Sequence, residues 1–264
     1  IDYTGPRDEI GGLARTMDGM LDRLQASFES QEQFISDVSH ELRTPLTIVK
    51  GHLQVLDRQE DPTPDTIRKE HALVLDELDR MDRLVGDLLT LARATRVDFL
   101  RKESIDADLF VQSLAAQGEH LGERAWRIDD LPGGVLVADQ DRLIQVFLNL
   151  MQNAVAHTRP GDVIALGGET APDGAVRLWV RDEGEGMDEE TRSHVFERFY
   201  RGTAGHERAE GLGLGLALVK AIVDAHEGRI AVESAPGAGT VSSSHCLERD
   251  SLAPARGSRS GVPD

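Results

Sequence analysis

The sequence has a single cysteine, Cys246, in 264 residues. One thiol cannot close an intramolecular disulfide, and no Cys/His cluster has the spacing of a zinc site, so the usage fits a reducing cytosol. Aromatic residues make up only 4% of the chain. No apolar run approaches the ~20 residues of a membrane span, and the longest candidate, Leu212 to Val223, is interrupted by glycines and Lys220. No signal peptide is recognisable. The chain opens on Ile1 rather than Met, as a fragment or processed product would, and a membrane segment upstream of residue 1 is left open. Positive charge is also scarce. Lys plus Arg number 29 against 47 Asp plus Glu, for a net charge of −18. That balance argues against a nucleic-acid binder, which must neutralise phosphates, and against a polybasic membrane-surface anchor.

Charged residues nevertheless reach 29%, which suits long solvated helices joined to one compact unit. Residues 1–33 place Ile10, Leu13, Met17, Met20, Leu24 and Phe28 at steps of three and four, a helical seam near heptad spacing. The seam continues through Phe34, Val38, Leu42, Leu46, Val49, Leu53 and Leu56. DRQEDPTPD (57–65) then breaks it, and Ile67, His71, Val74, Leu78, Met81, Val85 and Leu88 resume in strict 4-3 alternation. Two such helices form an antiparallel hairpin. A hairpin alone cannot bury both stripes, so two copies are expected to associate as a four-helix bundle, a homodimer.

Beyond about residue 104 the pattern becomes mixed. Strands are expected at 126–131, 135–138, 163–167, 175–181 and 229–234, and helices at 107–121, 140–156 and 212–227. The expected fold is therefore multidomain: an all-α hairpin followed by an α+β two-layer sandwich. Residues 248–264 are polar and rich in Pro, Gly and Ser, the composition of a disordered tail.

Four segments carry chemistry. In FISDVSHELRTPLT (34–47), His40 stands roughly 160–200° around the helix from Val38 and Leu42 and so faces solvent. Glu41 can accept the imidazole Nδ1 proton and leave Nε2 as nucleophile, and Thr44 lies one turn on. Pro45 lacks an N–H and crowds the Glu41 carbonyl, which predicts a bend beside the histidine. In NLMQNA, Asn149 and Asn153 share one helix face and can offer oxygens to a hard cation and its phosphates. In RDEGEGM (181–187), Asp182 ends a strand as an acceptor suited to an exocyclic amine, and Gly184 and Gly186 permit close backbone approach. In GLGLGL (211–216), glycines at a helix start present N–H groups to an anion. A dinucleotide-binding turn is disfavoured there, because the run follows a charged, glycine-bearing loop (200–210) instead of a strand. That loop has the composition of a mobile lid.

Taken singly, an exposed His, an Asn pair or a Gly-rich turn is commonplace. Their order, with VFERF (195–199) between the last two, resembles the sensor histidine kinases of two-component systems over residues 30–240. DEIGGLARTMDGM (8–20) is similar to the second helix of a HAMP relay module. The resemblance implies four regions: a HAMP helix and linker (1–28), a dimerisation and phosphotransfer hairpin (29–96), an ATP-binding domain of the gyrase and chaperone superfamily (97–247), and the tail (248–264). It implies ATP and Mg2+ as cofactors and a response-regulator receiver domain as partner. It also implies a cytoplasmic portion of a membrane sensor whose spans lie before residue 1.

By the same resemblance His40 is the phosphoacceptor, Glu41 its orienting acid, and Thr44 the residue linked to regulator dephosphorylation. Asn153 is the metal ligand, and Asn149 its support. Asp182 reads adenine beside Gly184 and Gly186. Phe196 and Phe199 pack the lid, and Gly211, Gly213 and Gly215 face the phosphates. Arg198 and Arg201 are γ-phosphate candidates, with a solvated surface role as the alternative for each. The sequence departs from the family pattern twice. Ala156 occupies the place where many members carry Lys or Arg, with His157 as a weak substitute or a lid arginine in its stead. The last strand, VSSSHCLE after GAGT (237–240), is unusually polar, which puts the closing strand in doubt. Two other functions stay open on these residues: a regulator phosphatase relying on Thr44, and a catalytically silent dimeric scaffold.

Overall fold

The computed structural model describes residues 9–59, 62–172, 174–200 and 213–246. It divides into two compact units, Ile1–Val85 and Gly86–Asp264. The expected lid positions Arg201 and Gly211 and the expected tail lie outside the described residues.

The first unit is built on α1 (Glu9–Arg58) and most of α2 (Pro64–Arg93). The two apolar seams before the break are one uninterrupted 50-residue helix, which runs through Pro45. Pro45 is buried, while His40 and Thr44 are exposed. The prolines in the 57–65 stretch act as breakers; Pro64 begins α2, where its missing N–H leaves no helical bond unmade. Across the hairpin, His52 Nδ1 meets Glu70 Oε2 at 2.6 Å.

In the second unit, β1 (Glu103–Asp106) pairs with β3 (Val135–Ala138), a ribbon not anticipated in full because β1 is four residues with one buried side chain. The main sheet has the order β2-β4-β5-β7-β6. Its strands are β2 (Ala125–Ile128), β4 (Val163–Thr170), β5 (Val176–Asp182), β6 (Arg229–Ser234) and β7 (Thr240–Cys246). Only β2 and β4 are parallel. The remaining helices are α3 (Ala107–Gly118), α4 (Gln140–Ala156), α5 (Glu189–His194) and α6 (Gly215–Ala225). α5 had no apolar periodicity to reveal it, and it buries no side chain.

The doubt over the closing strand is resolved in its favour. β7 forms, and it is an inner strand, paired with both β5 and β6. Backbone ladders need no apolar side chain, and Ser242, Ser243 and Ser244 are small enough to be buried there. The core lies between the sheet and the helices: Ile164, Leu166, Leu178 and Val180 face Leu143, Phe147, Leu150 and Met151 of α4 and Leu218 and Ile222 of α6, all buried. Phe110 meets Phe147 edge-on at 5.9 Å.

Candidate functional site

Helix α4 is the central part of the second unit's site. Asp139 caps it by accepting the Arg142 N–H at 3.0 Å. Its buried stripe of Leu143, Val146, Phe147, Leu150, Met151 and Ala154 follows the 3.6-residue period, leaving Asn149 and Asn153 half-buried beside that stripe. The Asn149 amide donates to the Gln145 carbonyl at 2.9 Å. That fixes its Oδ1 against Gly215: a Cβ at Gly215 would stand 2.8 Å from that oxygen. The first turn of α6 therefore approaches Asn149 because residue 215 has no side chain.

Two turns further along α4, His157 reaches the end of β5. Its carbonyl lies against Gly184, where a Cβ would collide with it. Its Nδ1 is 3.6 Å from Glu185 Oε1. The imidazole thus stands at the Asp182 end of α4, away from Gly215, and is paired with a carboxylate.

Asp182 is 6% exposed. Its Oδ1 accepts the Gly184 N–H at 2.9 Å. Burial pushes its carboxyl above the usual carboxylate range, opposed by N–H bonds from Gly184 and Thr240 and by the charges of His157 and Arg181. A carboxylate oxygen has lone pairs beyond the one that accepts the Gly184 N–H. Gly186 has φ +70°, and a Cβ there would strike the Ala235 carbonyl. Gly239, with φ +74°, comes as close to the Asp182 carbonyl. The turn 234–240 thereby folds over the 182–187 loop. This role of GAGT goes beyond the approach to a strand expected of it, and Gly237 and Gly239 are the local signal that carries it.

Beside α6, the Phe199 N–H donates to the Gly213 carbonyl at 2.8 Å and brings together the ends of segment 200–212. Phe199 holds φ 61°, a conformation rare for a bulky residue. Gly213, at φ +69°, leaves no room for a Cβ against Phe199. Phe196 is half-buried and Arg198 exposed.

In the first unit, the Thr44 hydroxyl lies 3.5 Å from the His40 carbonyl. Ser39 and Thr47 donate likewise to Ile35 and Arg43, both at 2.8 Å. Glu41 is half-buried and adjacent in sequence to the exposed His40. The two sets of residues occupy different units. Among the described residues no cluster of three or more His, Cys, Asp or Glu is able to hold a metal ion. No helix among them is long and apolar enough to cross a membrane.

Comparison with known proteins falls on these same units. Residues 30–96 match the His Kinase A (phospho-acceptor) domain. Residues 138–249 match the histidine kinase-, DNA gyrase B- and HSP90-like ATPase family. The "Probable sensor histidine kinase TcrY" of Mycobacterium tuberculosis is 37% identical over 242 residues, covering 88% of this chain and 50% of TcrY. The chain spans about half the length of the curated relatives it matches. Among solved structures, the Acinetobacter baumannii histidine kinase AdeS superposes with TM-score 0.63 at 26% identity, over 78% of this chain and 96% of that one. Full-length ShkA in complex with AMPPNP gives TM-score 0.58 at 30% identity, over 79% of this chain and 44% of ShkA. A phospho-acceptor helix pair followed by this ATPase sandwich, in relatives that share both, leaves one assignment: the chain belongs to the sensor histidine kinases of two-component systems.

Proposed function

We propose that the protein transfers the γ-phosphoryl group of ATP to His40 and then to an aspartate on a response-regulator receiver domain. One observation carries this reading. Helix α4 sets Asn149 against Gly215 at the start of α6 and, eight residues on, sets His157 against Gly184 beside Asp182. Eight helical residues span on the order of 12 Å, a distance suited to a purine at one end and phosphates at the other. The AMPPNP bound by ShkA supports a nucleotide in this place.

In this reading Asp182 accepts from the adenine amine, with Gly184 and Gly186 letting the base approach the backbone. N–H groups at Gly211, Gly213 and Gly215 face the phosphates, aided by the α6 dipole. Arg201 adds charge from the lid, and His157 borders the base. Mg2+ fits the donor chemistry, since a carboxamide oxygen is a hard ligand. Asn153 would hold it together with phosphate oxygens, supported by Asn149, and the ion would neutralise charge as the phosphoryl group leaves.

Glu41 accepts the His40 Nδ1 proton, so the Nε2 lone pair attacks the γ-phosphorus. The bond to the β,γ-bridging oxygen breaks, and ADP departs. The receiver aspartate takes the group from His40, and Thr44 serves the opposing activity, in which water hydrolyses the regulator's aspartyl phosphate to aspartate and inorganic phosphate. The working molecule is a homodimer, attached to membrane spans lying before residue 1.

Incubation with γ-labelled ATP tests the first step. The label should survive alkali, be lost in acid, and be absent in His40→Gln. A label persisting in that variant removes His40 from the reaction.

A further inference from the structure

One hydroxyl holds together both chain segments that flank Asp182. Ser234, the last residue of β6, is half-buried. Its Oγ accepts the Met187 N–H at 2.8 Å, donates to the Gly239 carbonyl at 2.9 Å, and lies 3.0 Å from the Thr240 hydroxyl. A serine hydroxyl has one proton and two lone pairs, so all of its capacity is used. Met187 ends the 182–187 loop, and Gly239 and Thr240 end the turn that covers it. The Gly184 N–H that Asp182 Oδ1 accepts comes from the first segment, and the Thr240 N–H that opposes the rise of its pKa comes from the second.

The β5–β7 and β6–β7 ladders set Asp182 and Ser234 opposite Thr240, where the two segments begin; beyond the ladders they have few other ties. The Gly237 N–H donates to the Glu185 carbonyl at 2.7 Å. At Gly186 and Gly239 they approach so closely that no side chain fits. Close approach alone does not fix the conformation of the loop and turn beyond the ladders, because glycine permits many backbone conformations. A three-way hydrogen bond does.

We propose that Ser234 is a positioning residue for base recognition: its hydroxyl sets the orientation of the Asp182 carboxylate by locking the 184–187 loop to the 237–240 turn. The proposal rests on the reading of Asp182 as the acceptor for the adenine amine. An oriented carboxylate favours a base that presents an amine. It repels one that presents a carbonyl there, as guanine does. Loosening the two segments lets the carboxylate turn away, so discrimination falls more than binding of the phosphates.

The test uses the 264-residue chain and titration calorimetry with ATP and GTP in magnesium buffer, with thermal unfolding measured in parallel. Wild type is expected to bind ATP more tightly than GTP, and Asp182→Asn to lose that preference. Ser234→Ala should weaken ATP about tenfold, the effect of losing one hydrogen bond to a charged group, while GTP changes little; the unfolding midpoint falls only modestly, from the stranded Met187 N–H. Ser234→Thr keeps the hydroxyl and should restore the preference. Ser234→Cys, which has the same shape but is a weak hydrogen-bonder, serves if the alanine variant does not fold, and should lose the preference in the same way. Unchanged ATP affinity, or equal losses for ATP and GTP, overturns the role of Ser234 while leaving the nucleotide site intact. A wild-type protein that binds no ATP overturns the underlying reading and the proposal with it.

Discussion

His226 shows how one residue can fasten several elements. It is 4% exposed. Its Nδ1–H donates to the Ile222 carbonyl at 2.8 Å, and its Nε2 accepts the Asp139 N–H at 3.1 Å. Asp139 in turn caps α4 and accepts the Arg101 N–H at 2.8 Å. The ring can serve both partners only when neutral, because an imidazolium has no acceptor nitrogen. Burial holds its pKa below 6.5, with Lys102 adding to that and the Ile222 carbonyl and Asp139 opposing it. The unfolded chain therefore takes up this proton first as the pH falls. Stability from His226 is fully present above about pH 6.5 and is lost as the pH drops toward the folded-state value. Asp182, with its raised folded pKa, contributes in the opposite sense at lower pH. Urea unfolding between pH 7.5 and 5 should show falling stability in wild type and a flatter profile in His226→Gln. Equal slopes in the two proteins would mean that other groups set the acid response.

At the scale of elements, β7 is where sequence and structure part furthest. Its inner position came from backbone pairing on both sides, which alternation of side chains does not report. Ser244 sits in register between Leu178 of β5 and Ile230 of β6. It is fully buried, and its Oγ finds no hydrogen-bond partner. A buried hydroxyl without a partner costs more than a methyl in the same place. Ser244→Ala should therefore raise stability by about 1 kcal/mol, seen as a higher urea midpoint at unchanged slope; a lower midpoint would show that the hydroxyl is satisfied. Other elements were legible for identifiable reasons. α4 carries an Asp cap and a six-residue apolar stripe, so its expected span, 140–156, coincides with the helix. α6 was expected from 212 but begins at Gly215, since glycine runs carry no helical preference. The loop around Asp182 was visible as glycines in a row. The glycines of the turn at 234–240 were visible too, but not the packing of that turn on the loop, because contacts across about fifty residues leave no local pattern.

For the whole molecule, charge and apolar surface pull in opposite directions. In a single chain the hairpin leaves Phe28 59%, Ile35 58%, Leu46 59%, Leu53 51% and Leu78 46% exposed. Such a stripe along heptad positions is what a second hairpin would cover, and its burial supplies the favourable term for a dimer. Against it stands the net charge of −18 on each copy, a repulsion that acts over about 10 Å at 0.1 M salt and about 3 Å at 1 M. Salt should screen the repulsion while leaving the apolar contact intact. Sedimentation is therefore expected to show a species of twice 28.9 kDa, with a dissociation constant that falls as salt rises from low to high concentration. Leu53→Asp places a charge within the stripe and should shift the protein to monomer at every salt concentration. A wild-type chain that stays monomeric throughout, or a dimer that salt weakens, would show that apolar pairing of the hairpins does not hold two copies together.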